Sequence, residues 1–152
     1  MKRSDIDAGA RQINEMKLSL PSLSVNEGMA RAAVAAFCAQ LDPASGELAD
    51  IKCAVSEAVT NCIVHAYRDC VGTVYITAKL YSDGGVKIII RDKGCGIEDV
   101  AVARQPLYTT DAEGERSGMG FTVMESFCDK VRVVSKCKKG TTVTLYKKLK
   151  KR

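Results

Sequence analysis

The sequence predicts an α/β (α+β) two-layer sandwich, a mixed and mostly antiparallel sheet with helices on one face. Three observations carry that prediction. The β-branched segments "GTVYITAKLY" and "VKIIIRD" flank "SDGG", a hairpin turn signature. A second pair, "KVRVVSK" and "TTVTLYKKL", is joined by "CKKG". Two longer segments upstream repeat apolar residues at helical spacing, so each has one face to bury, and a sheet supplies the surface for it.

Taken in order, a polar lead over residues 1–15 is expected to be flexible. "MKLSL" then alternates apolar and polar residues and stops at Pro21, as a short strand does. Ser24 or Asn26 is placed to cap a first helix whose apolar positions Met29, Ala33, Phe37 and Leu41 recur one turn apart. Asp42-Pro43 and Gly46 break it. A second helix is predicted over residues 47–68, with Leu48, Ile51, Val55, Ala58, Val59, Cys62 and Ala66 as its packing stripe. The first hairpin follows. After it come the glycine loop "DKGCGI", a short helical candidate "EDVAVARQ" and the polar stretch "YTTDAEGERSG", a loop length that usually signals function. "FTVMESFCD" reads as a third helix before the second hairpin, and the basic end over residues 147–152 as a flexible tail.

With 152 residues, residues 1–152 are expected to form a single domain around one core. The 46% hydrophobic and 27% charged content excludes a disordered or fibrous chain. No apolar run approaches the ~20 residues that span a bilayer, and no apolar segment follows the N-terminal charges as in a signal peptide. A cytoplasmic protein without a membrane partner is expected. Seven cysteines, an odd number without a C-x-x-C pair, and a single histidine point to reduced thiols rather than disulfides or zinc. The net charge of +5 draws much on the basic tail, and no nucleic-acid motif accompanies it, so direct nucleic-acid binding is not expected.

Four short segments carry candidate chemistry. In "RDKGCGI", Asp92 stands at a strand end, a fixed acceptor beside Gly94 and Gly96, whose backbone lets a flat ligand approach. A turn that needs positive φ reads the same way. In "ERSGMGF", Gly118 and Gly120 precede a helical run, where exposed amides receive phosphate oxygens and Arg116 adds a cation, although a hinge has the same composition. In "SEAVTNCIVHAY", Glu57, Asn61 and His65 recur every four residues. At 100° per residue Glu57 and Asn61 fall opposite the apolar stripe with Asp50 and Arg68, which alone reads as solvated surface. "KGTTV" is a turn entering a strand.

The ordered set resembles the GHKL (Bergerat-fold) ATP-binding modules of histidine kinases, type II topoisomerases, heat-shock chaperones and mismatch-repair ATPases. Within that superfamily it most resembles the anti-sigma-factor serine kinases, from about residue 16 to residue 149. The resemblance implies a Bergerat-type fold and a site for ATP or ADP with magnesium. It assigns Asn61 as magnesium ligand, Asp92 as acceptor of the adenine amino group, and Gly94, Gly96 and Thr141 to the adenine end of the pocket. Gly118, Met119 and Gly120 wrap the phosphates, closed over by residues 104–117. Glu57 is the base toward an acceptor hydroxyl and Arg116 a charge-neutralising catalytic group. Lys93, where an acidic residue is common, and Cys95 depart from the pattern.

By the same resemblance the chain acts as anti-sigma factor and serine/threonine protein kinase. Its expected partners are a sporulation sigma factor (sigma F), a small anti-anti-sigma protein phosphorylated on serine, and a second copy in a homodimer. The first helix lies at the dimer and sigma-binding surface, with Arg31 as a contact. The competing reading is an ATP-gated binding module that switches partners without phosphoryl transfer. A histidine-kinase catalytic domain is disfavoured, because the single His65 sits inside the ATP-site helix.

Overall fold

The computed structural model describes residues 9–105 and 120–150. Five strands form one sheet in the order β1-β2-β3-β5-β4, with β1 Gln12–Pro21, β2 Thr73–Tyr81, β3 Gly85–Arg91, β4 Lys130–Lys136 and β5 Gly140–Lys148. Every adjacent pair is antiparallel, so the parallel pairing implied by a mixed sheet does not occur among the described residues. Two hairpins supply two of the four pairings. At the first turn Gly84 takes φ +87° and donates to the Tyr81 carbonyl at 3.1 Å, a conformation that only glycine adopts without strain.

The helices are α1 Val25–Cys38, α2 Ser45–Asn61, the short α3 Val100–Ala103 and α4 Gly120–Phe127. α1, α2 and α4 share one buried cluster with the sheet. Ala30, Val34 and Cys38 of α1, Ile51, Val55 and Val59 of α2, and Met124 of α4 meet Ile76, Leu80, Ile88, Ile90 and Leu145 of the strands. Alternation in β2, buried at Val74, Ile76, Ala78 and Leu80, shows that one sheet face takes all of this packing. None of the described helices is long and apolar enough to cross a membrane.

Several boundaries differ from expectation, each for a packing reason. β1 starts at Gln12, inside the supposed flexible lead, because residues 12–21 pair with residues 73–81 of β2. The basic tail is not frayed at its start. Lys147 and Lys148 complete β5, Leu149 is 4% exposed, and its amide donates to the Gly84 carbonyl at 2.9 Å. In α1 the buried stripe is Ala30, Val34 and Cys38, one residue round from the predicted one, and Met29 is left 55% exposed. Ser24 occupies the N-cap without a side-chain bond, while Asn26 Nδ2 donates to the Pro21 carbonyl. α2 starts at Ser45, two residues before the expected residue 47, and Glu47 caps its first turn by accepting from the Ala44 amide at 3.0 Å.

The second predicted helix is continuous but not uniform. After Asn61 the chain widens into a π-turn over Cys62–Ala66, in which the Tyr67 amide reaches the Cys62 carbonyl, five residues back, at 3.0 Å. That turn sits against the glycine loop and sets up the site.

Candidate nucleotide site

α2 lies between α1 and α4, so its sequence-exposed side is not bulk solvent. Ala54, opposite the predicted stripe, is fully buried, and Glu57 and Asn61 are half-buried. Gly120, the first residue of α4, faces both. A Cβ built there would lie 3.3 Å from Asn61 Nδ2, 3.4 Å from Asn61 Oδ1 and 3.4 Å from Glu57 Oε2. The start of α4 therefore closes on the α2 row, at a point where an added methyl would touch Glu57 and press on the Asn61 amide. The N-terminal amides of such a helix and a hard amide oxygen together suit a magnesium-bound phosphate.

Asp92 anchors the other end. Its carboxyl is 5% exposed, and Oδ1 accepts from the Gly94 amide at 2.9 Å and the Thr141 amide at 3.2 Å. The Asp92 amide donates to the Thr141 carbonyl at 2.9 Å, which ties the strand end to β5. Burial raises the carboxyl's pKa above the usual carboxylate range, and the amides of Gly94 and Thr141 and the Cys62 side chain oppose that rise. Cys62 is itself buried, and burial together with the Asp92 charge pushes its thiol well above the usual range, so the thiol stays protonated. An adenine amino group is the kind of donor such a fixed, desolvated carboxylate selects.

The π-turn and the glycine loop interlock. The Ala66 carbonyl accepts from the Cys95 amide at 3.1 Å, and a Cβ on Gly94 would lie 2.4 Å from that same oxygen. Gly96 has φ +75°, and a Cβ there would lie 2.2 Å from the Lys136 carbonyl oxygen. Both glycines are thus demanded by close backbone approach, and the conformational reading of Gly96 as a positive-φ residue also holds. The Cys95 carbonyl accepts from the Lys138 amide at 2.6 Å, so the loop is held from the helix on one side and the second hairpin on the other.

Thr141 is 8% exposed and its hydroxyl shares a 2.7 Å hydrogen bond with Ser135, whose oxygen also accepts from the Ile97 amide. His65 is half-buried and its carbonyl lies 3.3 Å from the Cys95 thiol. Lys93 turns away from the carboxylate, its ammonium 5.3 Å from the Tyr75 ring on the opposite sheet face. Arg31 stands apart from this constellation and pairs with Glu27, one turn earlier on α1, at 3.2 Å. Glu27 also accepts from the Ser56 hydroxyl, the residue before Glu57. Arg116, Gly118, Met119 and most of the residue 104–117 loop lie outside the described residues.

Sequence reasoning missed three contributors. Tyr67 is 7% exposed, donates to the Thr73 carbonyl and accepts from the Lys93 amide, both at 2.7 Å, so one phenol fixes the start of the glycine loop. Cys62 was assigned to packing, yet burial together with the Asp92 charge holds its thiol protonated. Gly140, with φ +114°, would place a Cβ 2.2 Å from the Asp92 carbonyl oxygen. Only Gly140 left a signal, the glycine of the "KKG" turn.

Among the described residues no group of three His, Cys, Asp or Glu side chains could cage a metal ion. A magnesium ion held at Asn61 would therefore draw its other ligands from phosphate and water, the usual arrangement for that ion. Asn61 beside a glycine-started helix fits such a role.

The family profile described as "Histidine kinase-like ATPase domain" matches residues 20–147. A protein of Priestia megaterium called anti-sigma F factor is 53% identical over 137 residues, 90% of this chain and 93% of its own length. One of the same name from Bacillus subtilis is 55% identical over 139 residues, covering 91% and 94%. Among solved structures, the RsbU and RsbW domains of a Mycobacterium tuberculosis protein superpose with TM-score 0.68 at 23% identity, over 92% of this chain and 34% of that one. A blue-light activated histidine kinase of Erythrobacter litoralis gives 0.54 at 19%, over 81% and 61%.

Proposed function

Because the chain belongs to the histidine kinase-like ATPase family, we propose that it is an anti-sigma factor and ATP-dependent protein-serine kinase. In this reading it silences the sporulation sigma factor sigma F and phosphorylates a serine of an anti-anti-sigma antagonist. The observation that carries the reading is the approach of Gly120 to both Glu57 and Asn61, which sets a carboxylate and an amide oxygen at the start of one helix. The names of the relatives at 53% and 55% identity support the sigma-factor side.

Bound ATP with magnesium supplies the transferable phosphoryl group and neutralises its charge. The chain's own residues do the rest. Asp92, with Thr141, Gly94 and Gly96, fixes the base. Asn61 holds the metal, Gly118, Met119 and Gly120 receive phosphate oxygens on backbone amides, and Arg116 adds a cation from the closing loop. Glu57, one turn from Asn61, orients the acceptor serine hydroxyl and takes its proton. General-base assistance of this kind contributes ~10²–10⁴-fold.

A homodimer is part of the proposal. β1 is an edge strand, and just past its C-terminal end Leu23, Val25 and Met29 are 44%, 80% and 55% exposed, apolar side chains suited to a second copy. Arg31, 44% exposed on the same helix, is a candidate contact for the sigma factor. The experiment is incubation with magnesium-ATP and the purified antagonist, read by mass spectrometry. A phosphoserine on the antagonist is expected, and partner exchange with no phosphate transferred would favour the ATP-gated module instead.

A further inference from the structure

The sheet face turned away from the helices carries a charge pattern that the nucleotide site does not use. Strand register arranges it in rows, Ser19–Tyr75–Arg91–Thr142–Val134, then Lys17–Thr77–Ile89–Thr144–Arg132, then Glu15–Lys79–Lys87–Tyr146–Lys130. Those rows hold six cations and one carboxylate, Glu15, which pairs with Lys17 at 3.6 Å and leaves Arg91, Arg132, Lys79, Lys87 and Lys130 as the excess charge. Lys79 lies directly opposite Lys87, whose ammonium sits 5.4 Å from the Tyr146 ring. At one end the face deepens into an open groove of about 550 Å³, lined by Arg91, Lys93, Lys136, Lys138 and Lys139 and, where it meets the adenine end of the nucleotide site, by Asp92 and Thr141.

We propose that this face and its groove dock an acidic segment of a partner polypeptide. Charge complementarity selects an anion, and the shallow, elongated shape selects a chain rather than a compact ligand. A chain crossing five strands spaced ~4.8 Å apart covers about 19 Å, the reach of about six extended residues. Stacked bases are a poorer fit, because the aromatic rings are already covered. The Arg91 guanidinium lies 4.7 Å and the Lys93 ammonium 5.3 Å from the Tyr75 ring, and Lys87 and Lys130 flank Tyr146 at 5.4 and 6.0 Å. Arg91 and Lys93 are exposed and present positive charge to carboxylates, whereas Lys87 is buried at 9% exposure.

The test uses the full chain and a fluorescein-labelled peptide alternating glutamate and serine, followed by anisotropy at about 50 mM salt, where surface charge is weakly screened. Arg132→Glu with Lys79→Glu reverses two charges on this face, and Lys52→Glu with Lys150→Glu reverses two on the helical side. The first pair is expected to weaken binding roughly tenfold or more and the second less than about twofold, with melting temperature and ATP affinity unchanged in both. Equal losses in the two variants would reduce the effect to net charge and overturn the proposal. So would failure of the wild type to bind the peptide, or tighter binding of an oligothymidylate of the same charge. None of these outcomes depends on kinase activity.

Discussion

Gly120→Ala separates the architecture of the site from the stability of the fold. The glycine has no positive φ, so alanine is allowed there, and at a helical position it is favoured over glycine by up to ~1 kcal/mol. Its methyl would sit 3.3 Å from Asn61 Nδ2, tighter than ordinary van der Waals contact, and 3.4 Å from Asn61 Oδ1 and Glu57 Oε2, at the near edge of it. The side chains must yield by a few tenths of an ångström, an adjustment that costs about as much as the helix gains. The melting temperature should therefore move by no more than about 3 °C in either direction. Catalysis is less forgiving, since a misplacement approaching 1 Å costs ~10²-fold. Transfer measured at saturating magnesium-ATP should fall about 10- to 100-fold, with a smaller loss in ATP affinity. A Gly120→Ala protein with wild-type turnover would show that the start of α4 does not close on the reacting groups, and the roles given to Glu57 and Asn61 would fail with it.

Other perturbations probe the remaining parts. Asp92→Asn keeps an oxygen for the Gly94 and Thr141 amides but loses the charged acceptor, so calorimetry should show ATP binding sharply weakened in a folded protein. The sign for stability follows from the raised pKa. The folded state holds its proton to higher pH than the unfolded chain, so ionised Asp92 destabilises the fold above that pKa, and the asparagine variant should melt no lower than wild type at neutral pH. By the same sign, ATP affinity should begin to fall on acidification at a pH above the ordinary aspartate value, and a titration tracking an unperturbed carboxyl would contradict the burial argument. Tyr67→Phe removes the hydroxyl that bonds Thr73 and Lys93, for a loss of about 1–2 kcal/mol by denaturant unfolding and a several-fold drop in ATP affinity. Met124→Ala, at a fully buried position of α4, should cost about 2–5 kcal/mol.

The strands and helices were legible because β-branched alternation and helical spacing report burial on one face, which is how residues 130–136 were bounded correctly at both ends. The face of α2 was not legible by that route. A helical wheel assigns one buried side, whereas α2 is flanked by α1 and α4, and Ala54 is buried where the wheel places solvent. The π-turn was equally hidden, since the groups it packs against, Gly94 and Cys95 at Ala66, lie about thirty residues away along the chain. Gly94, Gly96 and Thr141 came from motif order, and the contacts found for them explain why those residue types stand there. Tyr67 carried no sign of its role, because a tyrosine at the end of an apolar stripe looks like packing until the groups at both sides of its hydroxyl are known.

The central claim is that the α2 row performs phosphoryl transfer to serine, and Glu57→Gln tests it most directly. Transfer of labelled phosphate from magnesium-ATP to the purified antagonist should fall ~10²–10⁴-fold, while calorimetry shows ATP affinity within about twofold of wild type. Undiminished transfer by the glutamine variant would remove Glu57 as base and contradict the account.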